Sequence, residues 1–297
     1  MDSDQALGYK RCELRINDYT LDAAQLETRC PLDSGRHTAP SHLSTRHPAA
    51  STGRLDRLPL ELLSSILLVL DVSTLTEFRH VNRRATDLVD SLHQYQAVRR
   101  HCPNILRAIV SIRASSFTCR DLYESLLATK CATCDRFGGY LYIITCRRVC
   151  YFCFIRHTDY FPLLGQQAAQ MTGLSRKDLI GTLPHVRSLP GRYTAFAKLS
   201  RPRLVLLDRR AVVSLGRADD AGEHQQQQRP DYTTREVWRY MSIISAPCFT
   251  DAGQRADWGR HCSRCKDSTD EPANHLRNLY TSDGLVEHYR QHHATER

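Results

Sequence analysis

Two cysteine pairs constrain this chain more than any other feature. Cys131-Ala-Thr-Cys134 and Cys150-Tyr-Phe-Cys153 stand fifteen residues apart. A two-residue spacer lets both sulfurs of a tight turn face one ion, and two such turns complete a tetrahedral four-thiolate shell. Zn2+ is the ion that such a shell prefers. Between the pairs, Phe137-Gly-Gly-Tyr140 offers the backbone freedom of a turn, and Leu141–Thr145 reads as a strand.

The unit built this way resembles a zinc ribbon. Cys146, four residues before Cys150, is an alternative ligand; the symmetric pair of turns is preferred, which leaves Cys146 as a structural thiol. A closed four-thiolate shell keeps no open position for a substrate, so the site is expected to brace the fold. A redox role for Cys131-x-x-Cys134 would need a thioredoxin-like βαβ context, which the pattern lacks. The chain has 12 cysteines. In a reducing compartment that number argues for metal ligation over disulfides.

A second, weaker cluster closes the chain. Cys262-Ser-Arg-Cys265 is followed after 22 residues by His288, and the end reads Ser282-Asp-Gly-Leu-Val-Glu-His288-Tyr-Arg-Gln-His292-His293. With Ser282 as cap, His288 and His292 lie four apart on one face of a terminal helix. That spacing predicts a second Zn2+ shell of Cys262, Cys265, His288 and His292, with His293 projecting away. His261 and Cys248 are alternative ligands. The helix opens Asp283-Gly-Leu-Val-Glu287, which is acidic and apolar and unsuited to reading DNA.

Residues 58–89 read LPLELLSSILLVLDVSTLTEFRHVNRRATDLV. Leu62, Leu63, Ile66, Leu67 and Leu70 fall at helical spacing behind Leu58-Pro59, and a second apolar series begins with Leu75, Phe78 and Val81. Proline suits a first helical position, and Ser73 or Asp71 can cap the next helix. This is more apolar face than a fragment of that size buries alone, so a partner is expected to cover the surplus.

The run resembles an F-box, the helical module that docks substrate receptors onto the Skp-type adaptor of cullin–RING ubiquitin ligases. Leu58, Pro59, Glu61, Leu62, Ile66, Leu70, Leu75, Phe78, Val81, Asn82 and Leu88 carry the resemblance. The tryptophan often found near the end of such modules is absent, with Tyr95 or Val98 in its place. The whole layout is similar to a group of fungal F-box proteins: F-box, CxxC…Arg147-Arg-Val-Cys150-x-x-Cys153, a Leu189-Pro-Gly191 turn, and a final CxxC with a metal-ligand helix. The resemblance spans residues 55–293. It implies a non-catalytic receptor in which Leu58, Pro59, Leu62, Ile66, Leu70, Leu75, Phe78 and Val81 meet the adaptor. Through that adaptor the receptor would join cullin and present an unidentified protein substrate for ubiquitination.

The resulting expectation is a mainly α chain with small β parts, F-box helices first and a zinc-stabilised α+β region after. Residues 1–53 are expected to be a largely disordered tail and 54–100 the F-box. A helical linker and the four-cysteine region follow over 101–218, then a polar Gln-rich loop over 219–230, and C-terminal helices with the second metal site over 231–297. Pattern also predicts helices over Asn104–Ile112 and after the capping sequences Thr118–Asp121 and Ser175–Asp178. A short hairpin is expected from Leu204–Leu207 and Ala211–Leu215, and a helix over Thr234–Ile244.

Of 297 residues, 41% are hydrophobic and the net charge is +9. Ten Lys and Arg against two Asp fall within residues 173–217, which makes a zinc-stabilised nucleic-acid binder the alternative reading. Aromatic residues hardly interleave there, so base stacking is poorly supported and nucleic acid is not the expected partner. The longest apolar run, Ile66–Leu70, falls far below the ~20 residues of a membrane span. No signal-peptide order opens the chain, so an intracellular place in cytoplasm or nucleus is expected. Neither HExxH, a nucleophile elbow nor a phosphate-binding glycine loop occurs, and no enzyme activity is expected.

Overall fold

The computed structural model describes residues 20, 21, 26, 51–193, 200, 202–219, 237–267 and 277–293. Most of the tail, the Gln-rich loop, and Lys198 and Arg201 of the basic segment lie outside these residues. The described chain is mainly helical with three small sheets.

Five helices come first: α1 (Leu60–Leu68), α2 (Val72–Arg79), α3 (Arg83–Ser91), α4 (His93–His101) and α5 (Pro103–Ile112). Their boundaries follow local chemistry. Asp71 caps α2 by accepting from the Thr74 N–H at 3.0 Å, and Asn82 caps α3 through Ala85 at 2.8 Å. Proline opens α5, where its missing N–H costs nothing. Arg79, Asp90 and Arg99 then tie α2, α3 and α4 together. Asp90 takes two bonds from the buried Arg79 guanidinium at 2.7 and 2.8 Å and one from Arg99 at 2.9 Å. The paired arginines hold the Asp90 carboxyl below its ordinary range, against a burial effect that pushes it up.

Helix α6 (Cys119–Leu127) carries the expected capping box, Thr118 and Asp121 each accepting from the other's backbone N–H. It delivers the chain to the first cysteine turn and to a sheet of order β2-β1-β6. Here β1 is Tyr140–Tyr142, β2 is Arg147–Val149 and β6 is Ile243–Ser245. Tyr140 pairs with Val149 on one side and with Ser245 on the other. The strand expected over Leu141–Thr145 therefore stops at Tyr142, and residues 143–146 form the turn. Residues Ile243 and Ile244, expected at the end of a helix, extend this sheet instead. The helical part is limited to α11 (Val237–Tyr240), and residues 234–236 lie outside the described chain. The β-branched Ile243 and Ile244, both buried, suit a strand paired on the second side of β1.

After α7 (Tyr151–Arg156), a second sheet orders β3 (Leu163–Leu164), β5 (Val205–Leu207) and β4 (His185–Arg187) as β3-β5-β4. It packs with α8 (Gly165–Thr172), α9 (Arg176–Thr182) and α10 (Arg209–Asp219) around Leu163, Ala168, Leu179, Leu207 and Val212. The hairpin expected over 204–215 is thus a strand followed by a helix. Asp208 accepts from the Ala211 N–H at 2.9 Å, so the presumed turn residue starts α10. Two further strands, β7 (Cys248–Thr250) and β8 (Arg255–Asp257), pair antiparallel; α12 (Arg264–Asp267) and α13 (Ser282–His292) follow.

One connected set of buried residues runs from Leu63 in α1 to Phe249 in β7, so the first helices and the cysteine region share a core. Tyr95 and Val98 both lie in it, and so do Leu21 and Leu26 of the expected tail. Leu21 donates its N–H to the Ile243 carbonyl at 2.9 Å, so part of the tail is anchored.

At the centre of that core, Arg148 is 3% exposed. Its guanidinium donates to the carbonyls of Ser125 at 2.9 Å, Gly138 and Pro247, and reaches those of Leu126 and Ala246 at 3.5 Å. Burial pushes its pKa down to about 10, still charged at neutral pH. Gly138 stands so close to the Arg148 stem that a Cβ would overlap it. Replacement by Met would keep the bulk and leave these buried acceptors unpaired. We expect Arg148→Met to lose about 3 kcal/mol, measured as a lower urea midpoint. An unchanged midpoint would show that the carbonyls are satisfied without the guanidinium.

Candidate metal centres and an exposed helix face

The first cluster forms where two turns meet. Cys131 donates its N–H to the Arg136 carbonyl at 2.9 Å, and Ala132 donates to Arg148 O at 2.8 Å, which fixes the first turn beside β2. Cys150 follows β2 directly and caps α7. Backbone N–H groups of Thr133 and Cys153 point at the sulfurs of Cys131 and Cys150, each at 3.4 Å. The Sγ atoms of Cys131, Cys134, Cys150 and Cys153 all lie within 4.8 Å of one another. The Cys134 sulfur is 3.6 Å from that of Cys150 and 3.5 Å from that of Cys153. A tetrahedral ion with metal–sulfur bonds of ~2.3 Å needs an edge of ~3.8 Å, so the four residues fit a metal ion.

Proton sharing inside the cluster favours a thiolate. The Cys150 thiol donating to Cys131 holds the Cys131 pKa down to about 4, while Cys150 is pushed up by that same bond. Burial pushes Cys153 up to about 12. A cation bound here would replace those protons and satisfy all four sulfurs at once. Cys146, fully removed from this group, is a buried thiol pushed up to about 12 by desolvation.

The second cluster assembles from the start of α12 and the end of α13. Thr281, not Ser282, caps α13 by accepting from the Gly284 N–H at 3.1 Å. Its members are Cys262, Cys265, His288 and His293, all buried. Nε2 of His293 lies 3.4 Å from the Cys262 sulfur and 3.3 Å from that of Cys265; Nε2 of His288 lies 3.2 Å from Cys265. Mixed sulfur–nitrogen edges of a tetrahedral shell are ~3.5 Å, so this set also fits an ion.

His292 is therefore corrected to His293. The helix ends at His292, and His293 leaves helical geometry with φ −129° and ψ −1°. That break turns its ring back onto the cysteines, a change of direction that regular helical spacing does not anticipate. His292 stays exposed and packs against the outer side of the His288 ring, 4.9 Å between centroids. Tyr280, which the motif did not single out, stacks on His288 at 4.5 Å and 21°. His261 instead places Nδ1 3.1 Å from the Asn278 carbonyl, and Cys248 is buried with its sulfur against Leu127 O; neither joins the cluster.

The apolar helices divide their side chains between two faces. On α1, Leu63, Leu67 and Leu68 enter the core, whereas Leu62 and Ile66 are 55% and 44% exposed. Leu60 and Val69, which the sequence pattern did not single out, are each 54% exposed. Leu58, Pro59 and Val81 are exposed as well. Asn82 donates its side-chain amide to Ser51 O at 3.0 Å, which ties the start of α3 to the segment before α1.

Leu75 is a correction. It is fully buried, because α2 turns Val72, Leu75, Thr76 and Arg79 inward at positions i, i+3, i+4 and i+7. Leu70 and Phe78 are half-buried and pack on the same core. Leu62, Ile66 and Val69 thus form one exposed stripe along α1, and Leu58, Pro59, Leu60 and Val81 are exposed outside it.

No family model matches the chain, and no curated protein or solved structure matches it. Among the described residues, no helix is long and apolar enough to cross a membrane. Metal analysis of the purified chain is expected to find two ions. His293→Ala should lower the content to one, and His292→Ala should leave it at two; the reverse pattern would restore His292 as a ligand.

Proposed function

We propose that this chain is a non-catalytic substrate receptor of an SCF-type cullin–RING ubiquitin ligase, docked on a Skp-type adaptor by its first helices. The observation that carries this reading is the second apolar stripe of α1. Leu62, Ile66 and Val69 recur at i, i+4 and i+7 on the face turned away from a core already filled by Leu63 and Leu67. Exposed apolar side chains grouped on one helix mark an interaction surface. Each gains roughly 1–2 kcal/mol when covered.

Within this reading the metal ions are zinc, since thiolate-rich tetrahedral sets favour it and closed shells suit a structural role. Zinc at the first centre holds the Cys131 turn beside β2, the strand that carries Arg148, and at the second it fastens the last helix to the Cys262–Cys265 turn. The receptor supplies no bond chemistry. It raises the local concentration of a substrate lysine beside the ubiquitin-charged enzyme, which is catalysis by proximity.

Co-precipitation with a recombinant Skp-type adaptor tests the docking step. Leu62→Asp or Ile66→Asp should weaken adaptor binding at least ~100-fold, about 3 kcal/mol, with zinc content unchanged. Leu75→Asp should instead unfold the helices, because it places a charge in the core. Adaptor binding that persists in both surface variants would end the receptor reading.

A further inference from the structure

A cavity of about 500 Å3 lies between the two metal-ligand clusters. Lys130, Arg136 and Phe137 line one side, on the loop that carries the first cysteine turn; Leu279, Tyr280 and Thr281 line the other, leading into α13. Both sides are held by ligand-bearing elements. The Arg136 carbonyl accepts from Cys131 N–H, and Tyr280 stacks on His288. Tyr280 and Arg260 also exchange backbone hydrogen bonds at 2.8 and 3.0 Å. Gly259 approaches Phe137 and Leu279 so closely that a Cβ would strike both, and its φ of +72° suits glycine.

The charges on this lining are unequal in their commitments. Lys130 meets Asp135 at 3.4 Å across an exposed rim, with both side chains largely in solvent, so that pair contributes little. Arg136 lies over the Phe152 ring at 5.1 Å. Among the described residues no carboxylate forms an ion pair with it. A guanidinium stacked on a ring keeps its N–H edge for a bidentate acceptor. Beside it, Phe137 and Leu279 offer apolar surface.

We propose that this cavity binds a short acidic segment of a protein partner, one carboxylate on Arg136 and a neighbouring apolar side chain against Phe137 and Leu279. The proposal rests on the receptor reading, for which it supplies the substrate site. A pocket of this size takes a few side chains, and a charged contact beside an apolar one selects for both.

The test is selection of a random dodecapeptide library on the full, zinc-loaded chain. Enriched peptides should pair Asp or Glu with Leu, Ile or Phe. Their affinity should fall ~10–100-fold in Arg136→Glu, with metal content unchanged, and recover when the peptide acid is exchanged for Lys. No enrichment, enrichment without acidic residues, or affinity indifferent to Arg136→Glu would overturn the proposal. So would retention of a single-stranded oligonucleotide, lost in Arg136→Glu, in place of acidic peptides. Leu62→Asp should keep peptide binding and Arg136→Glu should keep adaptor binding, so a failed docking surface and a failed cavity give separate signatures.

Discussion

Arg148 is the residue on which the rest of the structure depends. Its guanidinium gathers carbonyls from the end of α6, the glycine turn before β1 and the segment after β6. The same three segments also meet through their backbones, Ala246 donating its N–H to Gly139 O at 3.0 Å and Gly138 donating to Thr129 O at 2.9 Å. A buried charge is tolerated only when such donors and acceptors saturate each other. The first cysteine cluster adjoins this arrangement, through Ala132 N–H on Arg148 O and through Cys150, which follows the same strand.

The helices in front of the ribbon solve a different problem. Helix α1 carries two apolar stripes, and a helix can press only one of them into a core of this shape. Leu63 and Leu67 take the inner position and join Leu75, Leu88 and Val98. The outer stripe is left to solvent or to a partner. The cation at Arg136 lies in a different part of the chain, on the loop of the first cysteine turn, so the proposed docking face and the proposed peptide cavity use separate surfaces.

How much of this was legible in advance follows from the range of each signal. The first four-cysteine set was readable because each pair is local and the chemistry tolerates no other geometry. Caps were readable for the same reason at Thr118 and Ser175. Asp208 misled because one side chain serves equally as a hairpin turn or a helix cap, and only the packing of Val212 decides. His292 misled because spacing assumes the helix continues, whereas α13 stops one residue short of His293. Leu75 misled because an apolar helix does not announce which of its faces is inner.

By itself the sequence determined the mainly helical class, the two cysteine pairs and a helix run richer in apolar side chains than its own packing requires. These are set by nearest-neighbour chemistry: ligand spacing, caps and hydrophobic period. Only the tertiary structure decided that β6 joins β1 from about a hundred residues away, that Arg148 rather than an aliphatic residue fills the centre, and that His293 completes the second cluster. Each of those depends on contacts between distant segments, whose free energies exist only once the chain has brought them together.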